Sequence, residues 1–401
     1  MDRSIRQTQR WFFALGLGIA GAMSFAPAEA QQMCGGSNYP FPYTDVSGVG
    51  AAFCPGIMEA YVTGVSKGTT PTTFSPNSIV TRVQMTTFLQ RSLDQGLTRA
   101  SRRAALNQWW TPQTTNAMPT TTVGGNPAYC AADGKAIWVS TAGIGNVVEV
   151  QASTGKVLGT WTGMSDSWGI LPAAGKIFVV GSSLPGSLYV FDPTQPPGAA
   201  TLAASGLGDT PVGIAFDGTH LWTANNGGSV SIITPQAATP YPATTVTAGF
   251  HGPWGILYDG AHIWVTDRTA GTLLKLDASG NILQTVPVGA APLFPAFDGA
   301  NIWVPNLNDN SVTVVQASTG AVVATITADA SNNLNAPNGA TFDGERILIT
   351  NGEFSTVTLF KAADLSVIAN ISTGTGFAFG ACSDGINFWL PFVATSEVAR
   401  F

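Results

Sequence analysis

One pattern recurs through the last two thirds of the chain. An apolar residue is followed by Asp-Gly, two variable residues and an apolar-Trp-apolar run, as in Phe297-Asp298-Gly299-Ala300-Asn301-Ile302-Trp303-Val304. With the Asp as marker, copies fall at Asp133, Ala173, Asp217, Asp259, Asp298, Asp343 and Asp384. Their spacing is about forty residues, the length of four short strands with their turns. A unit of that size cannot cover both faces of its own sheet, so copies must stack on one another. Seven copies predict a mainly β protein whose body is a seven-bladed β-propeller over residues 120–401. Hydrophobic residues make up 45% and charged residues 10% of the chain, which suits extensive burial. The formal net charge of −6 argues against nucleic acid as a partner.

Within the repeat, Pro127, Pro211, Pro253, Pro292 and Pro337 each stand six residues before the marker. A proline that opens a strand loses no ladder bond there. Asp-Gly then predicts a tight hairpin. The return strand carries Trp138, Trp222, Trp264, Trp303 and Trp389 five residues after the marker, with Phe178 and Leu348 in the other two copies. A large aromatic repeated at one position is a packing solution. A third strand, such as Ser311 to Gln316, and a fourth, such as Ala321 to Thr327, complete a copy. The last copy stops at Phe401 before its fourth strand, and Thr120 to Gly124 resembles the fourth-strand endings elsewhere. That N-terminal strand is expected to close the ring by completing the seventh blade, leaving no free sheet edge. Cys130 lies three residues before its marker and Cys382 two, so they point to opposite faces of sheets that would be neighbours, which predicts a disulfide latch.

Residues 1–30 read as a secretory signal: Arg3, Arg6 and Arg10, an apolar stretch from Trp11 to Ala26, and a small-x-small site at Ala28-Glu29-Ala30. No later stretch is long and apolar enough to span a membrane. Export to the periplasm, cell surface or extracellular space is expected, and there four cysteines tend to pair. Cys34 and Cys54 fall together in the small N-terminal region. Gly16 to Gly21 mimics a dinucleotide fingerprint but lies in the signal, and no phosphate-binding loop, Cys-x-x-Cys or His-x-x-x-His occurs. No cofactor is expected, and no metal ligands are assigned.

Residues 31–93 differ in composition from the repeats and predict two short helices around a Thr/Ser/Pro-rich loop. Pro55 suits a first helical turn, followed by Ile57, Met58 and Tyr61 at helical spacing. Thr81-Arg82-Val83-Gln84 has the form of a capping box before Met85, Phe88, Leu89 and Leu93. Tyr43-Thr44-Asp45-Val46, Thr73-Phe74-Ser75-Pro76 and Ile79-Val80-Thr81-Arg82-Val83-Gln84-Met85 together resemble an S-layer homology domain. That resemblance implies attachment to cell-wall or surface polysaccharide, with Arg82 and Asp45 as candidate contacts. Gln84 replaces the motif's Glu, Val80 is one residue extra, and a single copy is present. Residues 94–119 read as a linker with a basic helix around Arg99, Arg102 and Arg103.

The repeats, with Asp-Gly-x-x-Ile-Trp-Val and Thr-Gly-x-Val-Val-Ala-Thr-Ile, are similar to YVTN-type and streptogramin-lyase-like propellers. Loops joining second to third strands share a rim with the loops between blades. That rim would gather Asp166, Asp209, His251, Asp267, Arg268, Asn306, Asp309, Asn351 and Glu353. It is the default surface for a protein or small-molecule ligand. The main expectation is an exported binding scaffold. The alternative is a metal-dependent lyase or lactonase on that rim, with His251 as general base. His220 and His262, beside the tight hairpins, are expected to be structural.

Overall fold

The computed structural model describes residues 32–39, 42–62, 66, 68–89, 118–352, 355–374 and 376–401. The expected signal, nearly all of the linker and Glu353 lie outside the described residues. The chain divides into two units, 1–104 and 105–401. Among the described residues no helix is long and apolar enough to cross a membrane.

The first unit holds a short hairpin of Gln32–Cys34 and Ser37–Tyr39, an α-helix Cys54–Val62 and helical residues 82–89. The hairpin was not legible in the sequence. Its core is small: Cys34, Tyr43, Val46, Cys54 and Ile57, with Tyr61 and Phe74 packed against them. A core of that size calls for a staple, which the Cys34–Cys54 disulfide supplies. Thr81 caps the later helix as the sequence predicts: its N–H donates to Gln84 Oε1 (2.8 Å), and the Gln84 N–H donates to its hydroxyl (3.2 Å).

The second unit is the expected seven-bladed ring, made of seven four-stranded antiparallel sheets. The fourth blade is typical, with strands Pro253–Tyr258, Ile263–Asp267, Thr272–Leu276 and Ile282–Pro287. First strands of neighbouring blades meet around the centre, and fourth strands lie outermost and exposed. In the seventh blade the outer strand is Thr120–Thr122, which pairs antiparallel with Glu397–Arg400 from the other end of the chain. The seam is also covalent: Cys130 of the first blade is disulfide-bonded to Cys382 of the seventh, inside a cluster with Ile137, Val139, Trp389 and Val398.

Each blade interface holds one apolar cluster, and the marker tryptophans are at their centres. Trp138, Trp222, Trp264 and Trp303 are fully buried. Burying a side chain of that size stabilises by about 5 kcal/mol as an upper bound. The marker Asp does more than make a turn. Its Oδ1 accepts from the backbone N–H groups two and three residues on, while Oδ2 accepts from the indole N–H of the Trp. The Asp–indole bond is 2.9 Å at Asp133, 2.8 Å at Asp217, 2.7 Å at Asp259, 2.8 Å at Asp298 and 2.9 Å at Asp384. The copies that lack Trp follow the same logic. The second blade loses both partners together, Ala173 with Phe178, and in the sixth Asp343 accepts from Arg346 Nε instead (3.0 Å) above Leu348.

Candidate functional site at the channel mouth

Every first strand begins on the rim that carries the longer loops. In all seven blades its pairing with the second strand is regular near the hairpin, and in five of them it slips by a bulge near the mouth, between Pro127 and Tyr129, Ser167 and Ile170, Pro211 and Gly213, Pro253 and Ile256, and Pro337 and Gly339. A bulge re-aims the side chain it contains. Here it is accompanied by glycine, because successive first strands touch: a Cβ on Gly169 would collide with the carbonyl oxygen of Val212, and one on Gly255 with that of Leu293. Hydroxyls of the second strands reach the same carbonyl row, Ser140 to Trp168 O and Thr266 to Leu293 O.

The result is an aromatic plug across the channel. Tyr129, Trp168, Trp254, Phe294 and Phe379 come from the first, second, fourth, fifth and seventh blades and form one cluster. Tyr129 meets Phe294 across the ring at 4.7 Å, Trp168 at 5.9 Å and Phe379 at 6.1 Å, and Trp168 meets Trp254 at 6.4 Å. Most pairs are edge-to-face, the arrangement aromatic quadrupoles favour. All five side chains are only half-buried. Their polar tips are another matter: Tyr129 Oη, Trp168 Nε1 and Trp254 Nε1 are shielded from solvent and lack a hydrogen-bond partner among the described residues. Desolvation holds the Tyr129 phenol well above its ordinary pKa. The Trp254 indole opposes this without reaching hydrogen-bond geometry, so the phenol remains a donor. Arg268 lies above the plug, its guanidinium 4.6 Å from the centre of the Trp254 ring.

The residues expected on this rim are mostly engaged by the loops themselves. Asp166 Oδ1 accepts from Gly143 N–H (2.7 Å), Asp309 Oδ2 from Ala290 N–H (2.5 Å) and Asn351 Oδ1 from Asn335 N–H (3.3 Å). Asp267 is fully buried, and its two oxygens accept from His251 N–H (2.7 Å) and Ala270 N–H (3.0 Å). Each bond ties a loop inside a blade to one between blades or closes a turn. Asn306 is buried and donates to Ser311 and Thr313 hydroxyls, leaving its Oδ1 without a partner among the described residues. Asp209 is exposed, and its carbonyl accepts from Gly227 N–H (3.0 Å). The His251 ring is 65% exposed, with Nδ1 3.8 Å from Asp267 Oδ2. Among the described residues no three His, Cys, Asp or Glu side chains converge to hold a metal ion. His220 and His262 line a small cleft of about 230 Å³ at the hairpin end, with His220 beside Asp217.

The five plug residues escaped the sequence reading, because they occupy two adjacent positions, four or five residues before the marker, in only some copies. Departure from the repeat was the available signal.

In the N-terminal unit, Asp45 connects two of the motif segments: its oxygens accept from Phe74 N–H (2.8 Å) and Ser75 N–H (2.7 Å). Slight desolvation raises its pKa, but those N–H groups outweigh it and hold the carboxyl below its ordinary value. Asp45 also borders a cleft of about 630 Å³ with Phe53, Ile57, Phe74 and Asn77. Arg82 is exposed on the first turn of the capped helix.

Residues 42–86 match the family described as S-layer homology domain. None of the curated proteins matches the chain. Many solved structures share the ring. A streptogramin B lyase structure aligns with a TM-score of 0.58 at 13% identity over 70% of this chain and 96% of that one. Kuenenia stuttgartiensis hydrazine synthase aligns at 0.57 and 18% identity over 73% and 98%. A chain of the mitotic checkpoint complex aligns at 0.60 and 14% identity over 73% and 97%. Enzymes and an assembly component share this fold, so it does not by itself specify an activity. The chain thus combines an S-layer homology domain at residues 42–86 with a seven-bladed propeller that resembles streptogramin B lyase in fold.

Proposed function

We propose that the protein is an exported, envelope-associated binding protein. Its S-layer homology domain attaches to cell-wall or surface polysaccharide, and its propeller presents a ligand site on the loop-rich rim. The observation that carries this reading is the match over residues 42–86, together with an exposed arginine on the first turn of a capped helix. Guanidinium groups suit anionic polymers, and a helix N-terminus adds favourable dipole. Two disulfides fit an oxidising compartment. Cosedimentation of the full-length protein with purified wall polysaccharide tests the anchor. Arg82→Glu should lose most of the sedimenting fraction while the ring's thermal unfolding is unchanged, and equal sedimentation of the two proteins would count against it.

The second reading, a metal-dependent lyase or lactonase, draws on the exposure of His251 beside Asp267. It requires turnover that depends on a divalent metal and disappears in His251→Ala.

A further inference from the structure

We infer that the plugged mouth of the propeller channel binds an acidic sugar residue, its ring stacked on the aromatic cluster and its acid group held by Arg268. This rests on the reading that the ring binds a ligand, and is independent of how the N-terminal domain attaches.

Three observations define the ligand. Five half-buried aromatic rings from five blades offer a broad apolar floor, blind because Tyr129 and Phe294 close the channel beneath it. A pyranose presents a flat face of C–H groups that packs on such a floor, whereas a long apolar chain would need a deeper tunnel. The guanidinium of Arg268 stands over Trp254 and makes no ion pair among the described residues. A planar cation placed there is ready for a carboxylate at the edge of a stacked ring. Finally, Tyr129 Oη, Trp168 Nε1 and Trp254 Nε1 are three donors without acceptors, a condition that proteins rarely tolerate away from a functional site. These atoms have no surface open to solvent, so the hydroxyl and ring oxygens of a sugar supply their acceptors only as binding parts the rings at their edges. A neutral sugar would leave Arg268 unpaired, and an aromatic acid would offer the donors too few oxygens.

The bulges make this arrangement specific to the mouth. Those of the second and fourth blades contain Trp168 and Trp254, that of the first directly precedes Tyr129, and below them the strands resume regular pairing.

The test uses the full-length protein with tetramers of galacturonate, glucuronate and mannuronate, their neutral counterparts, and phenylacetate, followed by calorimetry and tryptophan fluorescence. At least one uronate tetramer should bind and shift the emission, with the neutral counterpart about tenfold or more weaker. Arg268→Gln should weaken that binding by about tenfold and flatten its salt dependence at an unchanged melting temperature. Trp254→Phe should retain a part that Trp254→Ala loses. Arg82→Glu should leave uronate binding intact. The inference is overturned if no uronate tetramer binds, if neutral and acidic tetramers bind alike, if phenylacetate alone binds, or if Arg268→Gln has no effect. Should uronate binding vanish in Arg82→Glu but persist in Arg268→Gln, the sugar belongs to the N-terminal domain. Loss of wall sedimentation without loss of uronate binding would separate the two sites.

Discussion

The two ends of the propeller are built by opposite rules. At the hairpin end, the marker Asp takes two backbone N–H groups and one indole N–H in blade after blade, with 2.7 to 2.9 Å to the indole. At the mouth, the two positions before the regular pairing hold an aromatic residue in five blades but Val212-Gly213 in the third and Asn338-Gly339 in the sixth, and in five blades a bulge breaks the strand register. Identical neighbours impose identical packing, so repetition marks architecture. A ligand is not seven-fold symmetric, so a surface shaped for one departs from the repeat. If this contrast holds, damage to the repeated parts lowers stability with ligand binding following only through unfolding, and damage at the mouth does the reverse.

The largest stability effect is expected at the seam. Cys130–Cys382 closes a loop with a sequence separation of 252, and the chain-entropy relation puts such a cross-link at roughly 5 kcal/mol before native-state strain is subtracted. The Cys130→Ser, Cys382→Ser double variant should therefore lose about 3 to 5 kcal/mol of unfolding free energy, read as a lower urea midpoint at an otherwise similar slope. An unchanged midpoint would mean that the pairing of Thr120–Thr122 with Glu397–Arg400 closes the ring unaided.

Next comes the Asp–indole pair. Asp259→Ala strips acceptors from Ala261 N–H, His262 N–H and Trp264 Nε1, and should cost about 2 to 3 kcal/mol. Trp264→Phe alone removes one donor and some volume. The double variant recreates the Ala173 and Phe178 pair of the second blade, so the two costs should fall short of additive by about 1 kcal/mol or more. Strict additivity in denaturant melts would show that the bond is incidental and that the two residues recur for separate reasons.

These cases also show what the sequence could and could not reveal. The marker and its Trp were legible because each recurs at fixed spacing, and the seven blades, the N-terminal closing strand and Cys130–Cys382 could be read from that spacing. The bond between Asp and Trp was hidden, since turn formation by one and burial of the other already accounted for each. The plug was hidden for a stronger reason. Trp168, Trp254 and Phe379 stand one residue before Tyr129 and Phe294 in repeat phase, and at Trp168 and Trp254 it is a bulge that brings the ring into the cluster. Strand periodicity gives no warning of a bulge. Of the polar residues named for the rim, Asp166, Asp267 and Asp309 accept from loop backbone, a role that residue type alone cannot distinguish from ligand contact.

Acid should weaken the hairpin end first. Desolvation raises the pKa of Asp133, Asp217 and Asp259, yet hydrogen bonds from backbone and indole N–H outweigh it and leave each below 3.8. Their contribution is complete above the unfolded value and is lost as pH falls through the lower folded values, where the unfolded chain binds more protons. Glu149, raised by burial and then by the charge of Asp133, opposes the trend. The denaturant midpoint should fall on acidification below about pH 4, and less steeply in Asp259→Ala, which has one such group fewer. Equal slopes would remove Asp259 from the account.

The smallest effect is the sharpest check on the contrast. Asp309, like Asp259, is a loop carboxylate accepting from backbone, here from Ala290 N–H at 2.5 Å. It differs in standing alone and exposed, with water ready to replace it at an exposed Ala290. Asp309→Ala should cost about 1 kcal/mol or less. It should speed amide exchange at Ala290 while leaving the amides of Ile263–Asp267 as slow as before, because that opening is local. If instead Asp309→Ala costs as much as Asp259→Ala and loosens the neighbouring blade, the mouth is as much a part of the frame as the hairpin end. Departure from the repeat would then no longer point to where a ligand sits.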